Sequence, residues 1–452
     1  MSQETSTSGP FDPTFNGNGV LNLPIPEISG FLPSAVLALP EGKLLVVIAL
    51  LGSGAGYAVA RLNEQGALDK EFGENSQGFV IVPLEESTEL SIWGISPTAN
   101  GGWLIFGQST SAGSSGLLVV RQFQDGKLDT SLNGTGILLI PYNDFGNSGH
   151  TGITVGAAPR NEEEALRTTG KMATSVVAQP NGKIVLVSSV KVEPFTYKGI
   201  VLRRNSDGSR DKTFNETGFA IVELADVAHD WNSTSGVAVQ ADNQVLVCGS
   251  FFSNDLNAPQ GAFVTRFNAL GKVDTGFNAG RTVTLSNPSE IKLDAITVRE
   301  SDGRIVAVGR ARPRRGEAPK GLMVVLNASG SFNLPFNNGQ PLFSDLVPEK
   351  GMYWLRCALQ ADGSIIVAGD TGNGFVTENL SAVTARYRSD GLLDLTFNNG
   401  EGFTVFNDEQ RIEGAIDMTV MEDGRIVVCG SYYADAEPWP YLDGGWVLRY
   451  LA

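Results

Sequence analysis

The sequence is poor in the residues that most often carry metal, redox or nucleophilic chemistry. Its 452 residues include only 3 Cys and 2 His. So few cysteines cannot form a disulfide framework, and we interpret them as buried thiols. The spacings His-x-x-x-His, Cys-x-x-Cys and Gly-x-Ser-x-Gly do not occur, so the motifs of zinc sites and serine hydrolases are missing. We therefore predict neither a metal site nor a cofactor.

Positive charge and long apolar runs are scarce as well. The chain has 33 Lys and Arg against 49 Asp and Glu, a net charge of -16. Such a balance argues against non-specific binding to nucleic acid or anionic membranes. Residues 44–60 are uncharged, but Gly52, Gly54 and Gly56 interrupt them, so we predict no membrane insertion. Residues 1–10 are polar and lack the apolar core of a signal peptide, which predicts a cytoplasmic protein or export by a leaderless route.

Long helical periodicity is missing too, and in its place one short pattern recurs seven times. In the copy at 386–403 a strand-like segment ends in Arg, a turn with Gly follows, and Leu-Asp-x-x-Phe leads through a second Gly-rich turn into another strand. The Asp of the pattern, replaced once by Asn, stands at Asp12, Asp69, Asp129, Asp211, Asp274, Asn333 and Asp394. Repetition at a regular spacing indicates a fold assembled from similar units.

A tight turn between two apolar strands marks each unit a second time. The second residues of these turns are Gly42, Gly101, Gly182, Asn243, Gly303, Gly363 and Gly424. The turns recur about every 60 residues, with roughly 20 additional residues between the second and third units. Asn-Gly and Asp-Gly at most of them favour two-residue hairpins.

Four strand signals fit each unit. Around Asp362 they are predicted at 354–360, 364–368, 382–388 and 402–406. Seven units of four strands predict an all-β fold, a seven-bladed β-propeller with four-stranded blades.

The two ends of the chain predict how this ring closes. The last unit has its hairpin at 416–430 and a third strand at 446–450, and the chain then stops one strand short. The missing pattern and strand open the sequence instead. We therefore expect 19–24 to pair with 445–451, so that the N-terminal strand completes the C-terminal blade and removes an exposed sheet edge.

The domain organisation follows from the same pattern. Residues 1–10 are predicted to be a disordered or extended tail, and 11–452 a single propeller domain. An insertion at 141–171 separates blades 2 and 3, and its capping-box spacing favours a short helix at 162–167. This insertion is either a lid or partner contact, or a tolerated surface loop.

An Arg usually stands eight residues before the Asp of the pattern. Where Asn333 replaces Asp, Val325 replaces Arg, so both partners are lost together. We interpret the pairs as charge-assisted structural contacts, and the Phe of the pattern as packing between blades. The pairs are Arg61/Asp69, Arg121/Asp129, Arg203/Asp211, Arg266/Asp274, Arg386/Asp394 and, across the ring closure, Arg449/Asp12.

The complete pattern resembles a known family. Arg-x-x-x-x-Gly-x-Leu-Asp-x-x-Phe, followed by Gln-x-Asp-Gly-(Lys/Arg)-Ile-x-Val-x-Gly, is similar to the bacterial delta-60 repeat, and 360–369 match the second part well. The resemblance extends over nearly the whole chain, with Asn333 and Asn243 as departures. It implies a bacterial, propeller-like repeat protein and no shared catalytic residues.

Function is expected on the loops that differ among the copies. Loops from second to third strands and loops between blades share one face of the predicted ring, which we call the variable-loop face. Aromatic side chains beside Arg and Asp suit recognition of a sugar or peptide. The candidate ligand-binding residues are Trp231, Trp354, Trp439, Tyr432, Tyr433, Tyr441, Arg310, Arg312, His229 and Asp230. The alternative is that the rings cover the blades and that the Arg residues lie in a solvated loop.

The sequence thus predicts a non-catalytic binding module, a monomer that recognises a glycan or protein partner through the variable-loop face. One alternative is a glycan-active hydrolase or lyase with carboxylates such as Asp230, Asp435 or Glu437 at the channel mouth. Another is a structural repeat within a larger assembly.

Overall fold

Seven antiparallel sheets form the blades of a β-propeller in the computed structural model. The structure describes residues 10–50, 56–84, 87–111, 114–142, 154–155, 175–193, 196–224, 227–240, 242–253, 260–287, 290–314, 316–374, 376–377, 379–407, 411–435 and 440–451. The seven-bladed, all-β architecture predicted from the repeats is confirmed.

The first strand of the chain, β1 (Val20–Leu23), belongs to the last blade. Blade 1 contains β2 (Leu32–Ala38), β3 (Leu44–Ala49), β4 (Tyr57–Leu62) and β5 (Phe79–Val82). Blade 2 contains β6 (Ser87–Pro97), β7 (Trp103–Ser111), β8 (Ser114–Gln122) and β9 (Ile137–Pro141). Blade 3 contains β10 (Thr154–Val155), β11 (Ser175–Ala178), β12 (Ile184–Glu193), β13 (Thr196–Arg204) and β14 (Phe219–Ile221).

The remaining blades repeat the same order. Blade 4 contains β15 (Trp231–Val239), β16 (Val245–Phe252), β17 (Gln260–Phe267) and β18 (Val283–Asn287). Blade 5 contains β19 (Glu290–Val298), β20 (Ile305–Arg312), β21 (Lys320–Leu326) and β22 (Leu342–Ser344). Blade 6 contains β23 (Met352–Leu359), β24 (Ile365–Thr371), β25 (Ala382–Tyr387) and β26 (Phe403–Phe406). Blade 7 contains β27 (Ile412–Val420), β28 (Ile426–Ala434) and β29 (Tyr441–Tyr450), to which β1 adds the fourth strand.

Helical structure in the described residues is limited to short 3-10 turns. They are Pro40–Gly42, Glu74–Ser76, Asn278–Gly280, Asn337–Gly339 and Phe397–Gly400. No described helix is long and apolar enough to cross a membrane.

The core lies between neighbouring blades. Strand β24 is buried along its whole length because blades 5 and 7 cover its two faces. Ile365 and Val367 pack in the cluster shared with blade 5, whereas Ile366 and Ala368 pack in the cluster shared with blade 7. This double burial explains why the second strands are continuous apolar runs and not alternating ones.

The turn between the first and second strands is longer than predicted. In blade 6 the Gln360 N–H donates to the Ser364 carbonyl at 2.9 Å, and the Gly363 N–H donates to the Gln360 carbonyl at 3.0 Å. Gly363 has a φ of 90°, while the Asp362 carboxylate accepts the Ser364 N–H at 2.8 Å. The prediction of a two-residue hairpin is therefore wrong here, since only the Gly takes the left-handed conformation and Asp closes the turn by its side chain.

The predicted insertion falls inside a strand position of blade 3. Strand β10 pairs with the end of β12, with Val155 opposite Val190, and β11 resumes the pairing with Ser175 opposite Val187. The two pieces together occupy the first-strand position. In the sequence, residues 156–174 therefore stand between two pieces that share one strand position. The predicted helix at 162–167 lies outside the described residues.

The ring closes as the ends of the sequence predict. Strand β1 pairs antiparallel with β29, from Val20 opposite Leu448 to Leu23 opposite Gly445. The Asp12 N–H also donates to the Arg449 carbonyl at 2.9 Å. The prediction that the N-terminal strand completes the C-terminal blade is confirmed.

A clasp formed by Arg, Asp and Phe reinforces this closure. Arg449 Nε lies 2.7 Å from Asp12 Oδ2, and the guanidinium carbon lies 4.7 Å from the centre of the Phe15 ring. One terminal nitrogen of Arg449 donates to the Glu64 carbonyl of blade 1 at 2.6 Å. The guanidinium therefore joins blade 7 to the next blade as well as to its own turn.

The same clasp recurs around the ring. The Arg Nε to Asp Oδ2 distances are 2.8 Å for Arg61/Asp69, 2.7 Å for Arg121/Asp129, 2.6 Å for Arg203/Asp211, 2.7 Å for Arg266/Asp274 and 3.1 Å for Arg386/Asp394. In blade 5, which lacks both charges, Asn333 donates to Asn327 Oδ1 at 2.7 Å and accepts the Phe336 N–H at 3.2 Å. The neutral copy keeps the turn closed without a buried charge.

The contacts around Asp12 favour its ionised form. Burial opposes ionisation, but hydrogen bonds from Thr14 and Arg425 and the charge of Arg449 outweigh it, so the pKa of Asp12 lies below its ordinary value. A lowered pKa means that this carboxylate stabilises the fold at neutral pH, and that the stabilisation is lost as the pH falls through the folded-state value.

Replacement of Asp12 by Asn is expected to lower the free energy of unfolding by about 3–5 kcal/mol, because Arg449 would stay buried without its counter-charge. Urea denaturation at neutral pH measures this change. Asp390→Asn is the matched control, since Asp390 forms a half-exposed pair with Arg388 at 2.7 Å. Equal losses in the two variants would contradict a special role for the closing pair.

Candidate functional site

The first strands of the blades surround a central channel. A cavity of about 290 Å³ lies in it and is lined by residues from blades 2 to 7. Six of the first strands contain a β-bulge at the same place in the blade. The bulged residues are Ser34, Trp93, Ser235, Asp294, Leu355 and Ile416. A bulge inserts one unpaired residue and re-aims the side chains around it, and five of these six residues line the cavity.

A glycine in the second strand faces each of five bulges. A Cβ atom on Gly369 would lie 2.0 Å from the Tyr353 carbonyl oxygen, closer than any real contact. The equivalent positions with the same close approach are Gly107, Gly249, Gly309 and Gly430. The final Gly of the Ile-x-Val-x-Gly pattern is thus required by the bulged first strand that lines the channel.

Charged side chains enter the channel from blades 5 to 7. The residue after the bulge is small in blades 1, 2, 4 and 5, namely Ala35, Gly94, Gly236 and Ala295. Blades 6 and 7 have Arg356 and Asp417 there instead. We call the charged residues of these three blades at the channel the charged sector. It consists of Glu290, Lys292, Asp294, Arg310, Arg312, Arg356 and Asp417.

One ion pair of the charged sector joins three blades. Arg356 Nε lies 2.7 Å from Asp417 Oδ1. The second oxygen, Asp417 Oδ2, accepts the Val36 N–H of blade 1 at 3.1 Å. The pair therefore links blades 6, 7 and 1 at the channel wall.

Blade 5 carries the other charges on one face. The pairing of β19 with β20 sets Glu290 opposite Arg312 and Lys292 opposite Arg310. Arg310 Nε lies 3.1 Å from Glu290 Oε1, and Arg312 Nε lies 3.4 Å from Glu290 Oε2. Lys292 Nζ lies 2.8 Å from Asp294 Oδ1. Glu290 begins β19 and Arg312 ends β20, so this cluster lies at the end of the channel that opens to the variable-loop face.

Arg310 is held toward blade 6. Its guanidinium carbon lies 5.8 Å from the centre of the Tyr353 ring. Burial opposes the charge of Arg310, but Asp294 and Glu290 outweigh it and raise its pKa above the ordinary value. The guanidinium is therefore a fixed positive charge in the channel wall.

A buried carboxyl group lies behind Tyr353. The Tyr353 hydroxyl donates to Asp370 Oδ2 at 3.2 Å, and the Ala415 N–H donates to Asp370 Oδ1 at 2.6 Å. Burial raises the pKa of Asp370 to about 8, despite these two donors. Asp370 is consequently protonated at neutral pH and joins blade 6 to blade 7.

The structure brings two of the sequence-predicted site residues together. Arg310 and Arg312 meet on Glu290 at the channel mouth. Trp354 and Tyr432, in contrast, lie in the cores between blades with exposures of 0% and 2%. Their assignment as ligand-binding residues is corrected, because β23 and β28 extend to include them and the neighbouring blades cover them.

Other predicted residues lie on the variable-loop face separately. Tyr441 is 58% exposed. Trp231 stacks on Phe252 with ring centres 4.2 Å apart and planes inclined by 18°. Tyr433 is half-buried, and burial raises its pKa to about 12. Trp439 lies outside the described residues, as does Glu437.

His229 and Asp230 do not act on each other. The Asn232 amide donates to His229 Nε2 at 3.1 Å, and Lys198 Nζ lies 3.2 Å from the same atom. His229 Nδ1 lies 2.8 Å from the Val227 carbonyl, which fits the Nδ1–H tautomer. Asp230 accepts from the Ser253 hydroxyl at 2.9 Å. The adjacent pair therefore has separate partners and is not an acid–base dyad.

Sequence reasoning missed Lys292, Asp294, Arg356 and Asp417, because they lie in strands whose pattern indicates scaffold. For Arg356 and Asp417 the available signal was a departure from the internal repeat, with a charge where four other copies have Ala or Gly. Within the described part of the chain, no group of three or more His, Cys, Asp or Glu side chains is placed to hold a metal ion.

One comparison with known families supports the propeller fold. A family model described as a domain of unknown function (DUF5122) beta-propeller matches residues 240–277 and 360–397. No curated protein matches the sequence. Similar solved structures include a protein of unknown function from Dyadobacter fermentans, with 15% identity, 64% of this chain and 81% of that chain covered, and a TM-score of 0.35.

Two other similar structures are enzymes with very low identity to this chain. Polysaccharide lyase Uly1 has 8% identity. The match covers 93% of this chain and 90% of the lyase chain, with a TM-score of 0.46. The NanB sialidase from Streptococcus pneumoniae has 11% identity. The match covers 100% of this chain and 72% of the sialidase chain, with a TM-score of 0.39. These similarities concern the fold alone.

Proposed function

We propose that the protein is a non-catalytic, monomeric binding module that recognises a glycan or protein partner through its variable-loop face, with a polar group of the ligand in the channel mouth. The charged sector is the observation that carries this proposal. The clasps recur in six of seven blades and are scaffold, whereas the charges described at the channel come from blades 5, 6 and 7. A departure from repeat symmetry at a concave, charged position is typical of a binding site.

The pairing of the carboxylates favours binding over hydrolysis. Asp294 is paired with Lys292 and Asp417 with Arg356, each within 2.8 Å. A glycosidase needs two convergent carboxyl groups, one of which donates a proton. Asp370 is protonated, but it lies behind Tyr353 and does not line the cavity. Asp294, Asp417 and Asp370 thus favour a role in ligand orientation over acid–base chemistry.

Aromatic side chains on the same face support recognition of a partner. The stacked pair of Trp231 and Phe252 and the exposed Tyr441 lie at the ends of strands that open to the variable-loop face. Rings of this kind give large contact area at low entropy cost, and sugars and apolar side chains stack on them equally well.

Trp231→Ala is expected to weaken binding of the natural ligand about tenfold or more, as truncation of an aromatic anchor does. A glycan array and a proteome pull-down, each performed with wild type and variant, measure this. Leu395→Ala is the control, since Leu395 is 61% exposed on the opposite face. Absence of a specific ligand in both assays, or equal losses in the two variants, would contradict the proposal.

A further inference from the structure

We infer that the group bound at the channel mouth is the carboxylate of an acidic saccharide, and that Glu290 occupies the position of this carboxylate until the ligand displaces it. The inference rests on the proposed binding function and names its ligand class. Glu290 then acts as an internal competitor for Arg310 and Arg312.

The carboxylate of Glu290 lies between two guanidinium groups. Its two oxygens are each approached by a different guanidinium, at 3.1 Å from Arg310 and 3.4 Å from Arg312. Arginine is the side chain best suited to hold a carboxylate, because its donors are planar and its charge is permanent. An external carboxylate at this position would meet the same two guanidinium groups.

Glu290 is the most exposed member of the cluster. Its side chain is 36% exposed, against 26% for each arginine. It is also the first residue of β19, whereas Arg310 lies inside β20 and faces the Tyr353 ring. Exchange of Glu290 for a ligand carboxylate leaves both arginines beside a negative charge, so no buried cation loses its counter-ion.

The charge around this position favours an anion. Lys292, Arg310 and Arg312 lie on one face of blade 5 with Glu290 and Asp294. When Glu290 turns away, three cations remain with one carboxylate. The local field is then positive in a chain whose net charge is -16, which selects an anionic group at this point of the surface.

The cavity that adjoins this position, which Arg310 lines but Glu290 and Arg312 do not, fits a sugar better than a peptide. Its volume of about 290 Å³ is at the small end for ligand sites and takes a single sugar ring more readily than a chain segment. Ser96, Ser175 and Ser235 are among its lining residues. Ser235 is 5% exposed, and its hydroxyl has no hydrogen-bond partner among the described residues. A buried hydroxyl of this kind is available to a sugar hydroxyl.

The test compares trigalacturonate with the neutral galactotriose by isothermal titration calorimetry. Wild type is expected to bind the acidic trisaccharide about tenfold or more tightly than the neutral one. Glu290→Gln is expected to bind it about three- to tenfold more tightly than wild type, because the competing charge is removed. Arg310→Gln is expected to lose the preference. Lys320→Gln removes a cation of the same blade, paired with Asp345 at 2.8 Å, and is the control.

The gain expected for Glu290→Gln cannot arise from misfolding. Equal affinity of wild type for the acidic and neutral trisaccharides, or weaker acidic binding by Glu290→Gln, would overturn the inference. Tighter binding of hexaglutamate than of trigalacturonate would overturn the saccharide assignment. A further outcome is that Trp231→Ala lowers the affinity for a ligand found on the array while the Glu290 and Arg310 variants bind that ligand as tightly as wild type does. In that case only this inference fails, and the proposed function stands. If neither array nor pull-down yields a ligand, the proposed function itself fails.

Discussion

A chain that begins at residue 25 is expected to lose cooperative folding. The deletion removes β1 and exposes the edge of β29 along its pairing from Gly445 to Leu448. It also removes Asp12, the partner of the buried Arg449, and Phe15, which is fully buried between blades. An open edge strand and an unpaired buried charge both favour aggregation over the closed ring. Urea denaturation and size-exclusion chromatography measure the loss.

Two further variants make this test specific. Deletion of residues 2–9 removes only a polar segment and is expected to leave the denaturation midpoint unchanged. The second variant is a circular permutant. It would begin at residue 25, and a copy of the five-residue turn at 205–209 would join Tyr450 to Phe11. In the structure Phe11 and Tyr450 form an antiparallel β-bridge, and Arg204 and Arg210 form the equivalent β-bridge across that turn. This chain is expected to fold like wild type. If it fails, or if the first deletion folds cooperatively, the closure model is wrong.

Replacement of Asp370 by Asn is expected to make the protein more stable at alkaline pH. Burial raises the pKa of Asp370 from 3.8 to about 8. Between these values the unfolded chain is ionised at this residue while the folded chain keeps the proton. Stability therefore falls as the pH rises, by about 1.4 kcal/mol per pH unit, and levels off above the folded-state pKa. Tyr433, whose pKa is about 12, stays neutral over this range.

Asn at this position keeps a side-chain oxygen for the Ala415 N–H and has no charge to bury. The two proteins are expected to be about equally stable near pH 4, and Asp370→Asn to exceed wild type by several kcal/mol near pH 8. Guanidinium denaturation at a series of pH values measures the difference. Asp390→Asn, at a half-exposed pair, is the control and should show no such trend. A difference that stays constant with pH would show that Asp370 is ionised in the folded protein.

The repeat was accessible from the sequence because each clasp is local. Arg386, Gly391, Asp394 and Phe397 lie within one short segment, and the structure joins them by a turn and an ion pair at 3.1 Å. Local contacts of this kind leave a readable spacing in the chain. The same short spacing explains why ring closure could be predicted from the copy of the pattern that is divided between the two termini.

The candidate site was accessible only in part. Arg310 and Arg312 stood out as a cluster, but their shared partner Glu290 lies on the preceding strand and comes close only through the β19–β20 pairing. Trp354 and Tyr432 were misassigned because the sequence does not show that neighbouring blades cover these ends of β23 and β28. In the sequence, an aromatic residue close to a Gly gives the same pattern whether it lies in a loop or in the buried end of a strand.

The sequence by itself determined the number of blades, the strand order, the clasp and the closure, since all of these depend on spacing along the chain. Only the tertiary structure decided which side chains reach the channel. The bulge adds one residue to the first strands of six blades and shifts the alternation of side chains, so Asp294 and Arg356 enter the channel region from strands that otherwise pack as scaffold. The encounter of Arg356 with Asp417 joins residues 61 positions apart on neighbouring blades, and only the curvature of the closed ring brings them together.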